Sequence, residues 1–226
     1  MPKPPKPRGS IRLAVRYDSA NALGGDVYDF ARLDDTRLGV LTADISGHGV
    51  NAALLSGMVK TLAAPLTGSD ARPGQVLAGL DAAAEQYFPE GFFCTAFYLR
   101  IDEGAGTFDY AGVGHPAAII VGPEGTRLLE SEPGLLGIGM ATDTETRIGT
   151  LKPGESLLLY TDGLPDAMDA SDKGFGQDRI QALLEEHRAA EPSAILDRIK
   201  EEVARHVEPG QPHDDINLIL IRNLPQ

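Results

Sequence analysis

Residues 38–55, LGVLTADISGHGVNAALL, carry the pattern on which the fold turns. Leu38–Thr42 is a short apolar run of strand character that ends in a carboxylate, Asp44. A Gly-rich turn, Ser46-Gly47-His48-Gly49, follows, and then an apolar segment of helical period. Val50, Leu54, Met58 and Leu62 recur every four residues, with Leu55 and Val59 alongside. That spacing predicts a wide apolar stripe on one helix, turned toward a core. Similar strand ends recur in GGDVYDF (24–30), LLLYTDGLPDA (157–167) and HDDINLILI (213–221). One aspartate at a strand end is ordinary turn chemistry. Asp26, Asp44, Asp162 and Asp214, if they converge, form an oxygen donor set suited to a hard divalent cation.

Working outward, strands are expected near 11–18, 27–33, 37–43, 92–101, 106–111, 117–121, 126–130, 145–150, 155–161 and 215–222. Three more helices are expected. One runs from Pro73 to about Tyr87. Another spans about 176–188, with Ile180, Leu183 and Leu184 inward. A third spans about 192–206, with Ile195, Ile199 and Val203 on one face and Pro192 in its first turn. The order is strands, two helices, many strands, two helices, a last strand. It lacks the strict alternation of a doubly wound sheet. The expected class is α+β: a four-layer αββα sandwich of two mainly antiparallel sheets flanked by helix pairs. Residues 1–9, MPKPPKPRG, read as a Pro-rich flexible tail or linker end with nothing to pack. Residues 10–226 read as a single domain, and Ala170–Gly176 as a polar loop within it.

Acidic residues outnumber basic ones 33 to 20, for a formal charge of −13. That balance argues against nucleic acid, whose phosphates need a Lys/Arg footprint, and against an anionic membrane surface. Cys94 is the only cysteine, which excludes a disulfide framework and thiolate zinc sites. In Phe92-Phe93-Cys94-Thr95-Ala96-Phe97 it reads as a buried, inert thiol. No run approaches the ~18 apolar residues of a membrane span, and the N-terminus lacks a secretory core. A cytoplasmic location, with no membrane insertion, is the expectation.

Each candidate has an ordinary reading beside the functional one. Asp44 and Ser46 would satisfy local amides in an Asx-type turn. Equally, Gly47 and Gly49 would let the backbone approach a ligand closely. Asp26 follows Gly24-Gly25 and begins a strand with Val27, Asp29 and Ala31 on one side. A plain turn explains that motif as well. Asp162 would cap the segment Leu164–Met168. Yet a carboxylate ending a run as apolar as Leu157–Thr161 is costly unless paired or metal-bound. Asp214 and Asp215 are adjacent, so strand alternation points at most one of them at a given site. The histidines carry less. His48 and His115 lie in Gly-rich turns, His187 and His206 on solvated helix faces, and His213 abuts the acidic pair.

In this order, the segments resemble the metal-dependent protein phosphatase (protein phosphatase 2C-like) family, and within it the bacterial SpoIIE-like branch. The resemblance rests on GGDVYDF, ADISGHGVNAALL, AGVGHPAAIIV, LLLYTDGLPDA and DDINLILIR, and covers about 10–223. It implies a β-sandwich flanked by helix pairs and two Mn²⁺ or Mg²⁺ ions as cofactors. Asp26, Asp44 and the backbone carbonyl of Ile45 would hold one ion. Asp44 would bridge to the second, completed by Asp162 and Asp214. Asp215, Gly25 and Gly163 would support these ligands from behind. Asn51 stands where Pro is common and Asn217 where Thr is common, and Pro165 and Asp166 replace a polar residue and Glu. The implied nucleophile is a water activated between two metals, with His48 as the nearest candidate acid for the leaving oxygen.

The resemblance therefore implies a phosphoserine/phosphothreonine protein phosphatase. Its expected partner is a phosphorylated protein, in relatives a STAS-type anti-sigma factor antagonist, in the setting of sigma factor regulation. A homodimer is left open. Two rivals remain at this stage. One is a catalytically weak pseudophosphatase acting as a regulatory protein-binding module. The other is a metal-dependent hydrolase of small phosphoesters.

Overall fold

The computed structural model describes residues 2–20, 23–207 and 214–225. Sheet A contains β1 (Ile11–Asp18), β10 (Ile216–Asn223), β9 (Ser156–Tyr160), β6 (Ala118–Gly122) and β7 (Gly125–Leu129), in that spatial order. Sheet B contains β2 (Val27–Arg32), β3 (Arg37–Ile45), β4 (Cys94–Asp102), β5 (Thr107–Val113) and β8 (Arg147–Thr150). All ladders between these strands are antiparallel. Helices α1 (Val50–Thr67) and α2 (Pro73–Glu85) cover sheet B. Helices α3 (Gln177–Glu186) and α4 (Pro192–His206) cover sheet A. The expected αββα sandwich is the observed architecture.

Three apolar layers follow from strand alternation, because successive side chains point to opposite faces. On β10, Ile219 and Ile221 enter the space between the sheets, while Leu218 and Leu220 meet α3 and α4. On β3, Leu38 and Val40 face between the sheets, and Leu41, Ala43 and Ile45 face α1 and α2. A strand buried on both faces reads as a continuous apolar run, and these do. Helix α2 starts as the sequence implies: Pro73 occupies the first turn, and Gln75 Oε1 accepts the Arg72 N–H at 2.9 Å. It ends at Glu85 rather than Tyr87, in a tight turn where Tyr87 and Phe88 N–H both donate to the Ala84 carbonyl.

Helix α1 departs from expectation. Its buried positions are Ala52, Leu55, Val59, Ala63 and Thr67. Val50 and Leu54 are 63% and 69% exposed, and Met58 and Leu62 only partly buried. The helix is apolar on most sides, so a four-residue repeat could be drawn along more than one face. The buried face is the one on which Ala52 lies against Gly25, whose added Cβ would stand 3.4 Å from the Ala52 Cβ. His187 and His206 are half-buried rather than solvated. His206 Nδ1 accepts from Arg179 at 2.8 Å, and its ring meets Phe175 edge-on. Phe175 is itself buried within the polar 170–176 loop.

Residues 2–9 form no helix or strand, but they lie against the domain. The Pro2 carbonyl accepts from Tyr28 at 3.1 Å, and the Arg8 N–H donates to Glu103 at 2.9 Å. Asp81 on α2 is buried and accepts the N–H groups of Gly137, Ile138, Gly139 and Ala141, at 2.6–3.2 Å. That carboxylate ties the loop before β8 to α2, where Leu136 pairs with Cys94 at the start of β4. Cys94 is buried, as expected, and burial pushes its thiol up to about 12.

His115 follows β5 and is 4% exposed, with Nδ1 hydrogen-bonded to Thr95 Oγ1 at 2.9 Å. Burial pushes its pKa down to about 3.

Two expectations follow for stability. In denaturant unfolding, Leu55→Ala should cost about 2–5 kcal/mol, whereas Leu54→Ala should stay within about 0.5 kcal/mol; equal costs would contradict the burial pattern. For His115, the unfolded imidazole takes up a proton below pH ~6.5, while the folded one stays neutral down to about 3. Its contribution is therefore complete above pH ~6.5 and declines by up to about 1.4 kcal/mol per pH unit as the pH falls through that window. The stability–pH slope of His115→Gln between pH 6 and 4.5, measured by urea unfolding, should lack this component; slopes identical to wild type would contradict it.

Candidate metal centre

At one end of the sandwich the inner faces change from apolar to polar in step. On β3, Leu38 and Val40 are followed at the same parity by Thr42 and Asp44. On β10, Ile221 and Ile219 are followed by Asn217 and Asp215. After β9, Leu157 and Leu159 are followed by Thr161. Before β2, Tyr28 is preceded by Asp26. Both sheets thus deliver oxygen-bearing side chains to one edge, an outcome of period-2 alternation and paired register.

Asp26 is 1% exposed, and its Oδ2 accepts the Thr161 hydroxyl at 2.6 Å. Asp44 sits opposite Thr95 on β4, with its side chain close to that of Asp26. Asp162 lies beyond β9 on the turn and is exposed. This corrects the expectation of a carboxylate buried at the strand end: the strand closes at Tyr160, and the buried polar group is the Thr161 hydroxyl. Asp214 is exposed and Asp215 is 6% exposed, the alternation expected of neighbours entering a strand. Asp215 Oδ1 accepts from Ser19 Oγ (3.0 Å) and the Ala20 N–H (2.8 Å), and its Oδ2 from the Gly25 N–H (2.6 Å). Its oxygens are thus committed to holding the segment that carries Asp26.

The glycines permit close approach. A Cβ on Gly25 would stand 3.0 Å from the Ile45 carbonyl oxygen and 3.4 Å from the Ala52 Cβ. The Ile45 carbonyl therefore lies beside the residue preceding Asp26. A Cβ on Gly163 would collide with the Asp215 backbone carbonyl. His48 is exposed in the turn between Asp44 and α1. His213 lies outside the described residues.

The electrostatics are those of crowded like charges. Asp26 is held well above the usual carboxylate range, by burial first, and by Asp44, Asp215 and Asp162. Asp44 is raised to about 7, by burial first and then by Asp162 and Asp214. Asp162 is exposed by area yet crowded by protein; that desolvation, then Asp214 and Asp166, raises it too. Each of these shifts says that the anionic form is disfavoured where it stands. An all-oxygen set of carboxylates and a backbone carbonyl suits Mg²⁺ or Mn²⁺, whose charge reverses that penalty. Among the described residues, no three acidic or histidine side chains are gathered tightly enough to form a closed shell as they stand.

Two residues that touch the site are not expected there from sequence, in which Asn217 stands out only for occupying a position where Thr is common. Thr161 touches Asp26, and Asn217 reaches Thr42 on the opposite sheet through Nδ2–Oγ1 at 3.1 Å. The signal was present in parity: counting by twos from Leu159 and Ile219 places both on the inner face.

Comparisons with known proteins bear on the family and the fold. The profile of the family described as Stage II sporulation protein E (SpoIIE) matches residues 34–223. The phosphoserine phosphatase RsbP of Bacillus subtilis is 29% identical over 220 residues, covering 93% of this chain and 52% of that protein. The chain spans between 37% and 60% of the length of the curated relatives it matches. Among solved structures, the SiaA-PP2C domain of Pseudomonas aeruginosa shares the fold with a TM-score of 0.84 at 21% identity, over 93% of this chain and 85% of that one. RsbX in complex with magnesium has a TM-score of 0.71 at 21% identity, over 96% of both chains. With a profile match across most of its length, on the fold just described, the chain belongs to the SpoIIE family.

Proposed function

We propose that this chain is a metal-dependent phosphoserine/phosphothreonine protein phosphatase. The observation that carries the reading is the convergence of Asp26, Asp44, Asp162 and Asp214, two from each sheet, on one edge of the sandwich. The name of RsbP and the magnesium complex of RsbX support it. Asp26, Asp44 and the Ile45 carbonyl would hold one ion, and Asp44, Asp162 and Asp214 would hold a second. Two Mg²⁺ or Mn²⁺ ions bound there would supply an acidified water and positive charge for the phosphoryl oxygens.

The chain's own residues do the rest. Asp44 joins the two halves of the site, because it projects from the β3 end toward aspartates of both sheets. Asp215 and Gly25 hold the Asp26 segment in place through the 2.6 Å bond from the Gly25 N–H. Gly163 lets the Asp162 turn close onto the Asp215 backbone. His48, exposed in the turn between Asp44 and α1, would donate a proton to the departing serine or threonine oxygen. The substrate proposed is a phosphorylated STAS-type anti-sigma factor antagonist, carried from the family resemblance. A cytoplasmic location is proposed with it; no helix among the described residues is long and apolar enough to cross a membrane.

With Mn²⁺, the purified chain should release phosphate from a phosphoserine protein faster than from a small phosphoester, and EDTA should abolish the release. Asp44→Asn should remain folded by circular dichroism and lose at least about 100-fold in kcat, since it removes a ligand shared by two ions. Wild-type turnover in that variant would refute the two-metal reading. A wild-type chain inactive with every metal and phosphoprotein would favour the binding-module alternative.

A further inference from the structure

We infer that Thr161 is the positioning residue for Asp26, and that it fixes this carboxylate so that a single oxygen, Oδ1, is offered to a cation. The inference rests on the metal centre proposed above and assigns how one of its ligands is set.

Thr161 is fully buried, one residue beyond β9 in sheet A, whereas Asp26 leads into β2 of sheet B. The Thr161 hydroxyl accepts the backbone N–H of Asn217 at 2.9 Å and donates to Asp26 Oδ2 at 2.6 Å. A hydroxyl has one hydrogen. With the Asn217 N–H on its lone pair, that hydrogen is directed at the carboxylate. The Thr161 N–H also donates to the Asn217 carbonyl at 3.2 Å, so backbone and side chain are both anchored to the same residue of β10. The β-branched side chain has few rotamers open to it. The bond length falls in the range of a charge-assisted O–H···O⁻ contact.

The anchor is itself fixed. Asn217 Nδ2 donates to Thr42 Oγ1 at 3.1 Å, across to β3, two residues before Asp44. Thr42, Asn217, Thr161 and Asp26 thus form a buried relay that crosses between the sheets twice. Rotation of the Asp26 carboxylate to offer both oxygens would strand the Thr161 hydroxyl in a site without solvent, which is unfavourable. The asymmetry is therefore built in: Oδ2 belongs to the protein and Oδ1 to the ligand. Partners of this kind that orient a metal ligand commonly contribute 10–100-fold in metal affinity.

Titration calorimetry with Mn²⁺ tests the assignment without reference to turnover. Thr161→Val keeps the shape and removes only the hydroxyl; its Mn²⁺ Kd should rise by about 10–100-fold, with the fold retained by circular dichroism. Thr161→Ser, which restores a hydroxyl, should bind Mn²⁺ as the wild type does. Wild-type affinity in Thr161→Val, or failure of Thr161→Ser to rescue, would overturn the role of Thr161 while leaving the metal centre intact. A wild-type chain that binds no Mn²⁺ would instead overturn the metal centre itself. The crystal structure of the Mn²⁺-loaded wild-type chain reads the same point even if Thr161→Val does not fold: Asp26 should bind through Oδ1 with Thr161 on Oδ2, and chelation by both oxygens would contradict the inference.

Discussion

Asp26, Asp44, Asp162, Asp214 and Asp215 repel one another, and they stand where the inner faces of the two sheets part. At about 4 Å, a pair of like charges near a protein surface is unfavourable by roughly 4 kcal/mol. Left to Coulomb forces alone, this end of the sandwich would splay. Neutral donors drawn from both sheets hold it instead. The Thr161 hydroxyl, the Gly25 and Ala20 N–H groups and the Ser19 hydroxyl each satisfy one carboxylate oxygen. They secure Asp26 and Asp215 but add no positive charge. What remains is an edge crowded with carboxylates from both sheets, the oxygen donor set a divalent cation site requires.

The rest of the molecule can be understood as the support for that edge. The apolar inner layer sets the spacing of the sheets, and Asn217–Thr42 adds a polar tie just before the carboxylates begin. Helix α1 begins six residues after Asp44, with Ala52 packed under Gly25, so its first turn fixes the height of the Asp44 turn against the Asp26 segment. On the same face of sheet B, Asp81 gathers the 137–141 loop onto α2 and thereby holds Leu136 against Cys94, next to Thr95 and the site. Each of these contacts constrains the backbone near one candidate ligand rather than the ligand itself.

The architecture was legible because the strands are buried on both faces. Runs such as Leu157–Tyr160 and Ile216–Ile221 announce their length and limits, and the α3 and α4 stripes face one way only. Helix α1 was not legible in the same way. With apolar residues on most sides, its sequence allowed the stripe to pass through Val50 and Leu54, whereas the structure buries Ala52, against Gly25, and Leu55. Among site residues, the aspartates stand out because carboxylates at strand ends are conspicuous. Thr161 and Asn217 do not, since a threonine and an asparagine in a strand carry no chemistry until a partner on another strand is known. Asp162 shows the converse: the apolar run before it implied burial, but the strand closes at Tyr160 and the chain turns outward just after the buried threonine. His206 was misplaced because its contacts, Arg179 and Phe175, come from a different element.

The central claim is that this acidic edge is a site for two cations joined through Asp44. Equilibrium dialysis of the intact chain against Mn²⁺ measures this directly. The account predicts two ions bound per wild-type chain, and weaker and incomplete occupancy in a folded Asp44→Asn variant. A wild-type chain that takes up no Mn²⁺, or an Asp44→Asn variant that takes up two with undiminished affinity, would contradict it.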